Sequence, residues 1–351
     1  MEIEQNVPLA PLTTLGIGGA ARYFVRAKTV DEVIEAVDGA RARGLPLFVL
    51  GGGSNVLISD RGFPGLVLHI ALSGVTVESE DEYAMVHVGA GEPWDPFVER
   101  AVSNRWAGIE CLSGIPGQVG ATPIQNVGAY GQEVSETIVR VEVLDTREMI
   151  VKTLTNSDCA FAYRSSVFKS ERGRELIVLG VTYRLPVGGA ASVRYPELRR
   201  YLEERGEDAE DLAAVRNAVI AIRRRKGMVL DPGDPDTRSD GSFFMNPVID
   251  ASGLDAVRRA AAAVTGDAEM PAFPTGDGRV KLSAAWLIER AGFPKGFTMG
   301  NAGISSKHTL AVINRGGASA EEVLALVRTI QQRVREVFGV ELHPEPRLVG
   351  F

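Results

Sequence analysis

The sequence predicts an α+β protein built from several lobes. Segments with the apolar spacing of helices are interspersed with short alternating runs of strand character. Two glycine-rich stretches, residues 51–55 and 113–134, interrupt both kinds of segment. The chain has 351 residues, 45% of them hydrophobic, enough for two or three domains.

The N-terminal part predicts a β-α-β start. Thr29, Val30, Asp31 and Glu32 read as a capping box, opening a helix whose face carries Val30, Val33, Ile34 and Val37. Gly44 and Pro46 end it. Leu47–Leu50 reads as a buried strand, and the first glycine stretch follows. From Val75 the alternation VTVES, a polar turn and YAMVHVG predict a hairpin, so a second lobe spans 73–187. Residues 188–227 read as an insertion, with an acidic run EERGEDAED and a helix carrying Val215, Val219 and Ile222. Beyond 228, Ser319 and Glu322 mark another capping box, and Val323, Leu326, Val327, Ile330, Val334 and Val337 form one face of a long helix. The closing VELHPEPRLVGF predicts a strand with a proline-marked kink.

Charge narrows the partners. The formal net charge is −7 and the pI about 5.4, which argues against nucleic acid or an anionic membrane surface. Cys111 and Cys159 have no metal-ligand spacing and read as free thiols in a reducing compartment. The N-terminus lacks the pattern of a signal peptide, and no apolar run is long enough to span a bilayer. A cytoplasmic protein is expected. His69, His87, His308 and His343 show no ligand spacing, and no metal is expected.

The glycine stretches carry the functional signal. Gly51, Gly52, Gly53, Ser54 and Asn55 follow a strand, but no helical pattern follows them and no lysine stands after the glycines. Neither of the two common nucleotide-phosphate motifs fits. What remains is a turn whose amides can face an anion, or a tight strand-to-strand turn. The second stretch, SGIPGQVGATPIQNVGAYGQEV, holds five glycines and two prolines. Irregular chain of that length suggests a ligand that organises it. Two such loops suggest an extended cofactor rather than a single nucleotide.

In order and spacing, TLGIGGAARY, LGGGSNVLISD, GIPGQVGATPIQNVGAYGQEV, YRSSVFK, GSFFMNP and HPEPRLVG resemble the UDP-N-acetylenolpyruvoylglucosamine reductases (MurB enzymes) over nearly the full length. Tyr195 and the insertion after 187 resemble the longer type I subclass. The resemblance implies a three-lobed flavoprotein: a p-cresol methylhydroxylase-type FAD-binding domain of two lobes, 1–72 with about 341–351 and 73–187, and an α/β substrate lobe, 188–340. It implies bound FAD, NADPH as co-substrate, a sugar-nucleotide substrate and a monomer. FAD contacts are implied at Gly51, Gly52, Gly53, Ser54, Asn55, Ser113, Gly114, Ile115, Pro116, Gly117, Gly120, Ala121, Thr122, Asn126, Gly128, Ala129 and Tyr130.

Three residues are implied in the chemistry. Arg164 would bind the enolpyruvyl carboxylate and stabilise developing enolate charge. Ser242 would donate the proton; no histidine or G-x-S-x-G surrounds it, so a hydrolase triad is not supported. Glu345 would face the substrate as a hydrogen-bond donor, its proton held by nearby negative charge. Tyr195, Arg223, Lys226 and Asn246 are implied in sugar-nucleotide binding, although Arg223 and Lys226 also suit a helix C-terminus. Met245 stands where many relatives carry lysine. A flavin oxidase or dehydrogenase on the same scaffold, or a non-catalytic sugar-nucleotide binder, are the alternatives.

Overall fold

The computed structural model describes residues 1–79, 82–266 and 270–351. They form two compact units: Met1–Val7, Ala21–Gly53 and Pro64–Val229 in the first, Pro8–Ala20, Ser54–Phe63 and Leu230–Phe351 in the second.

In the first unit the helix Val30–Ala42 forms as the spacing predicts, with Val33, Ala36, Val37 and Ala40 buried. Thr29 accepts from Glu32 N, but Glu32 reaches one residue further back than expected and accepts from Lys28 N at 2.6 Å. The strand Leu47–Leu50 does not pair with Ala20–Ala27. Phe63–Ile70 lies between them and runs parallel to Leu47–Leu50.

An antiparallel five-stranded sheet follows, in the order Ile150–Thr155, Ile138–Asp145, Leu176–Pro186, Tyr83–Gly89, Val75–Ser79. The predicted hairpin is its edge, Val75 opposite Val88; the centre of its polar turn lies outside the described residues. Leu176–Pro186 is buried along most of its length, because it is central and covered on both faces. The helix Trp94–Ser103 packs Trp94, Phe97, Val98 and Ala101 into the same core.

The helices Pro196–Arg205 and Leu212–Arg225 belong to this unit. The first has Pro196 at its opening and Gly206 in the left-handed conformation at its end, each suited to its position. Leu198, Leu202, Val215, Val219 and Ile222 close a small core with Cys111. Residues 188–229 therefore belong to the first unit.

The second unit centres on the helix Ala320–Phe338. Its capping box is complete, with Ser319 and Glu322 exchanging bonds. Val323, Leu326, Val327, Ile330 and Val334 are buried in a core that includes Phe243, Phe244, Leu287 and Ile304. The C-terminal strand is shorter than expected, only Arg347–Val349, parallel to Val56–Ile58. Pro344 and Pro346 offer no N–H to a ladder, and before Arg347 the segment forms an isolated bridge, Phe244 to Pro344.

Candidate active site

The first glycine turn leaves the strand Leu47–Leu50 and passes from one unit to the other between Gly53 and Ser54. Within the first unit it meets the second glycine stretch directly. A Cβ on Gly52 would stand 2.7 Å from Gly117 Cα and 3.2 Å from Gln118 N. Only glycine permits that approach. Gly53 (φ +61°), Gly114 (φ +71°) and Gly117 (φ +115°) also need the left-handed region. Among the described residues, the amides of Gly51, Gly52, Gly117 and Gln118 have no hydrogen-bond acceptor. Gln118 Oε1 is buried and unpaired. Half-buried free amides gathered at two abutting turns are the donors an anionic diphosphate requires, so these residues fit the dinucleotide cofactor.

Not every residue expected on the cofactor presents a polar side chain to it. Ser113 is fully buried, and its Oγ donates to Glu110 O at 2.6 Å. Thr122 bonds Val119 O and the Tyr183 hydroxyl, both at 2.8 Å. Asn126, buried with φ +47°, donates to Glu133 and Ala162 O and accepts from Ser135 N. These side chains shape the irregular stretch from within. Gly120 is close packing: a Cβ there would meet Ala90 Cβ at 2.5 Å. Ala121 ends the short 3-10 turn Val119–Ala121, while Ile115 and Pro116 line the half-buried turn beside Gly117. Gly114 is held by Asp95, which accepts its amide at 2.6 Å and pairs bidentately with Arg216 at 2.7 and 3.1 Å. Burial alone would raise the Asp95 pKa; the guanidinium and the amide outweigh it and lower the value.

Arg164 stands beside the same stretch. Its Nη2 donates to Gly128 O at 2.9 Å. Its own backbone is left-handed, φ +51°, a conformation uncommon for residues other than glycine. It sits in the tight turn closed by Ala162 and Ser165. Gly128–Ala129 pairs with Gln132–Glu133 in a two-strand hairpin, whose turn carries Tyr130 at φ +49°.

Tyr130 leads to an aromatic and basic cluster. Its ring meets Tyr195 edge-to-face, with centroids 5.5 Å apart, and Lys226 Nζ lies 5.7 Å from its centroid. Burial pushes the Tyr130 hydroxyl up to about 12. Arg223 donates through Nη2 to Met228 O at 2.8 Å, yet its buried Nε has no partner among the described residues. Burial lowers its pKa, opposed by Tyr130 and Asp95. Tyr130, Tyr195, Arg223 and Lys226, scattered over nearly 100 positions, thus come together.

The second unit carries Ser54, Asn55, Ser242, Asn246 and Glu345. Ser242 is half-buried, next to the buried Phe243 and Phe244, and among the described residues its hydroxyl has no partner. Glu345 N donates to Phe243 O at 2.9 Å and Met245 N to His343 O at 3.0 Å, so the Ser242 and Glu345 segments run side by side. Arg347 N donates to Asn55 O at 3.0 Å. Asn246 accepts from Ala284 N at 3.0 Å and so anchors the start of the helix Ala284–Arg290.

Sequence reasoning passed over Gln118, Asp95, Glu197 and Asp240. Asp240 accepts from the Thr14 hydroxyl and the Val56 amide; its Oδ2 is buried without a partner, and burial raises its pKa well above the usual carboxylate value. Its place two residues before Ser242 was the available signal. Cys111 and Cys159 are free and buried, their thiols pushed up to about 12 and 11, chiefly by burial. Among the described residues no cluster of three His, Cys, Asp or Glu side chains could hold a metal, and no helix is long and apolar enough to cross a membrane.

Comparison with known proteins agrees with this geometry. A profile described as "FAD binding domain" matches residues 21–154, and one described as "UDP-N-acetylenolpyruvoylglucosamine reductase, C-terminal domain" matches residues 234–349. The chain is 50% identical to the UDP-N-acetylenolpyruvoylglucosamine reductase of Thermobifida fusca, covering 99% of this chain and 98% of that protein. It is 50% identical to that of Streptomyces coelicolor, covering 98% and 90%. The crystal structure of the Thermus caldophilus reductase superposes with a TM-score of 0.68 at 27% identity, covering 99% of both chains. Matched end to end at half its positions, the chain belongs to the UDP-N-acetylenolpyruvoylglucosamine reductase family.

Proposed function

We propose that this protein reduces the enolpyruvyl ether of UDP-N-acetylglucosamine enolpyruvate to UDP-N-acetylmuramate with NADPH, through bound FAD, as a cytoplasmic monomer making a peptidoglycan precursor. The observation that carries the reading is the meeting of two glycine turns at Gly52 and Gly117, with free amides on both, in a chain of this family. When bound, FAD supplies the two-electron carrier between NADPH and the enolpyruvyl double bond.

The chain's own residues do the rest. The amides of Gly51, Gly52, Gly117 and Gln118 hold the cofactor diphosphate, with Gly53, Ser54 and Asn55 continuing the turn. Gly114, Gly128, Ala129 and Tyr130 supply backbone and ring surface along the second stretch. Arg164 grips the substrate carboxylate and stabilises negative charge as the double bond is reduced. Gly128 O, which accepts from its Nη2 at 2.9 Å, limits the guanidinium's freedom before substrate arrives. Ser242 Oγ delivers a proton to the substrate carbon bearing that charge, a base strong enough to take it from a hydroxyl. Glu345, registered against Phe243, hydrogen-bonds the developing enolate. Tyr195, Arg223, Lys226 and Asn246 bind the sugar nucleotide, the buried unpaired Nε of Arg223 being a donor in search of an acceptor.

In this reading residues 1–72 with 341–351 and 73–187 serve the flavin, and 188–340 serve the substrate. That division concerns ligand contacts and cuts across the two compact units. One anaerobic experiment tests the assignment. The purified protein is yellow, NADPH bleaches it, and the enolpyruvyl sugar nucleotide restores the colour. A colourless preparation that binds UDP sugars without turnover refutes it, as does oxygen consumption with an oxidisable substrate in place of NADPH.

A further inference from the structure

The ammonium of Lys226, proposed above to bind the sugar nucleotide and read here as a contact to its diphosphate, is already engaged. Its Nζ lies 2.6 Å from Glu197 Oε2, and the two side chains are 30% and 34% exposed. That is too open to be a core ion pair and closed enough to fix the geometry. Glu197 lies in the first turn of the helix Pro196–Arg205, whose N-cap residue is Tyr195. The ring expected over the substrate and the carboxylate on the lysine therefore belong to one turn of backbone. A cavity of about 120 Å³ adjoins the pair, lined by Glu197, Arg200, Tyr201, Glu204, Arg225 and Lys226 among others. Arg200 and Arg225 are the further cationic groups lining that cavity, Arg225 with its guanidinium 4.9 Å from the Tyr201 ring centroid.

We propose that Glu197 is an internal stand-in for the ligand's phosphates: its carboxylate occupies Lys226 until a diphosphate displaces it toward the cavity that Arg200 and Arg225 line. A diphosphate brings more negative charge than one carboxylate and wins the lysine; a ligand without phosphate cannot make the exchange. Glu197 is then a competitor built into the binding site, a positioning residue that raises the dissociation constant of any phosphate ligand reaching Lys226. This inference rests on reading Lys226 as a phosphate contact.

The test measures UDP and uridine binding to the FAD-loaded enzyme by calorimetry, for wild type, Glu197→Gln, Lys226→Ala and the double variant. The pair is part-exposed, so Glu197→Gln is expected to bind UDP about two- to five-fold tighter and uridine unchanged, with the gain absent on the Lys226→Ala background. Flavin content and melting temperature of each variant control for folding. If Glu197→Gln binds UDP no more tightly than wild type while Lys226→Ala weakens it, Glu197 is not a competitor and the inference fails, although the phosphate reading of Lys226 survives. If Lys226→Ala binds UDP as wild type does, that reading fails and the inference with it.

Discussion

Replacing Gly52 by alanine tests whether the two glycine turns must meet to hold the cofactor. The added Cβ would stand 2.7 Å from Gly117 Cα and 3.0 Å from Gly117 C. Carbon contacts are most favourable at about 3.5–4.0 Å, so one turn must retreat by roughly 1 Å. The obstacle is backbone, with no flexible side chain to swing away. Overpacking of this kind costs about 1–3 kcal/mol. If the turns part in the cofactor-free protein, the cost appears on binding, as a roughly 5- to 150-fold rise in the FAD dissociation constant. If they cannot part, it appears as a lower melting temperature of the apoprotein. Gly51→Ala is the internal control, because its Cβ would meet only Gln118 Oε1, the end of a side chain, at 3.2 Å. The assay is FAD titration of apoprotein by flavin fluorescence, alongside thermal unfolding. The reasoning is refuted if Gly52→Ala matches Gly51→Ala in both measurements.

Three further outcomes follow from the site. Ser242→Ala leaves bleaching by NADPH intact and slows recolouring by substrate about 10²-fold or more; equal damage to both halves removes Ser242 from the proton step. Asp95→Asn deprives the buried Arg216 of its charged partner, and because Asp95 is itself about a third exposed, the loss sits near the low end for such pairs, about 2–3 kcal/mol; an unchanged urea midpoint contradicts it. Burial raises the Asp240 pKa well above its ordinary value of 3.8, so between that pH and the raised folded value the native state binds more protons and stability falls as pH rises, by about 1.4 kcal/mol per pH unit at most. Asp240→Asn flattens that slope, and parallel stability profiles for the two proteins rule out a protonated Asp240.

Local order was legible in the sequence where one stretch of chain determines it. The helix Val30–Ala42 and the helix Ala320–Phe338 follow from spacing and caps. The irregularity of residues 113–134 follows from its glycines and prolines. Two things escaped. The insertion of Phe63–Ile70 between Ala20–Ala27 and Leu47–Leu50 depends on long-range pairing that periodicity does not encode. The internal hydrogen bonds of the Ser113, Thr122 and Asn126 side chains could not be read from the sequence either, because a polar residue in an irregular stretch satisfies whatever backbone the fold brings around it. Partnerships across the chain, such as Asp95 with Arg216 or Glu197 with Lys226, have no local signature.

Long-range pairing of the same kind sets the surroundings of Ser242 in the second unit. Three segments far apart in sequence are tied there by backbone bonds: Glu345 N to Phe243 O, Arg347 N to Asn55 O, and Ser59 N to Val349 O. Asp240 adds a fourth tie, accepting from Val56 N beside Asn55. Ser242 thus lies between two attachments to the end of the first glycine turn, one through Asp240 and one through the C-terminal segment. Neither attachment touches the Ser242 hydroxyl, which keeps it available to a substrate while its backbone is fixed. In the proposed function, positioning by the neighbours of a group rather than by the group itself suits a serine whose hydroxyl has no partner among the described residues, since an internal acceptor would compete for the proton it is proposed to deliver.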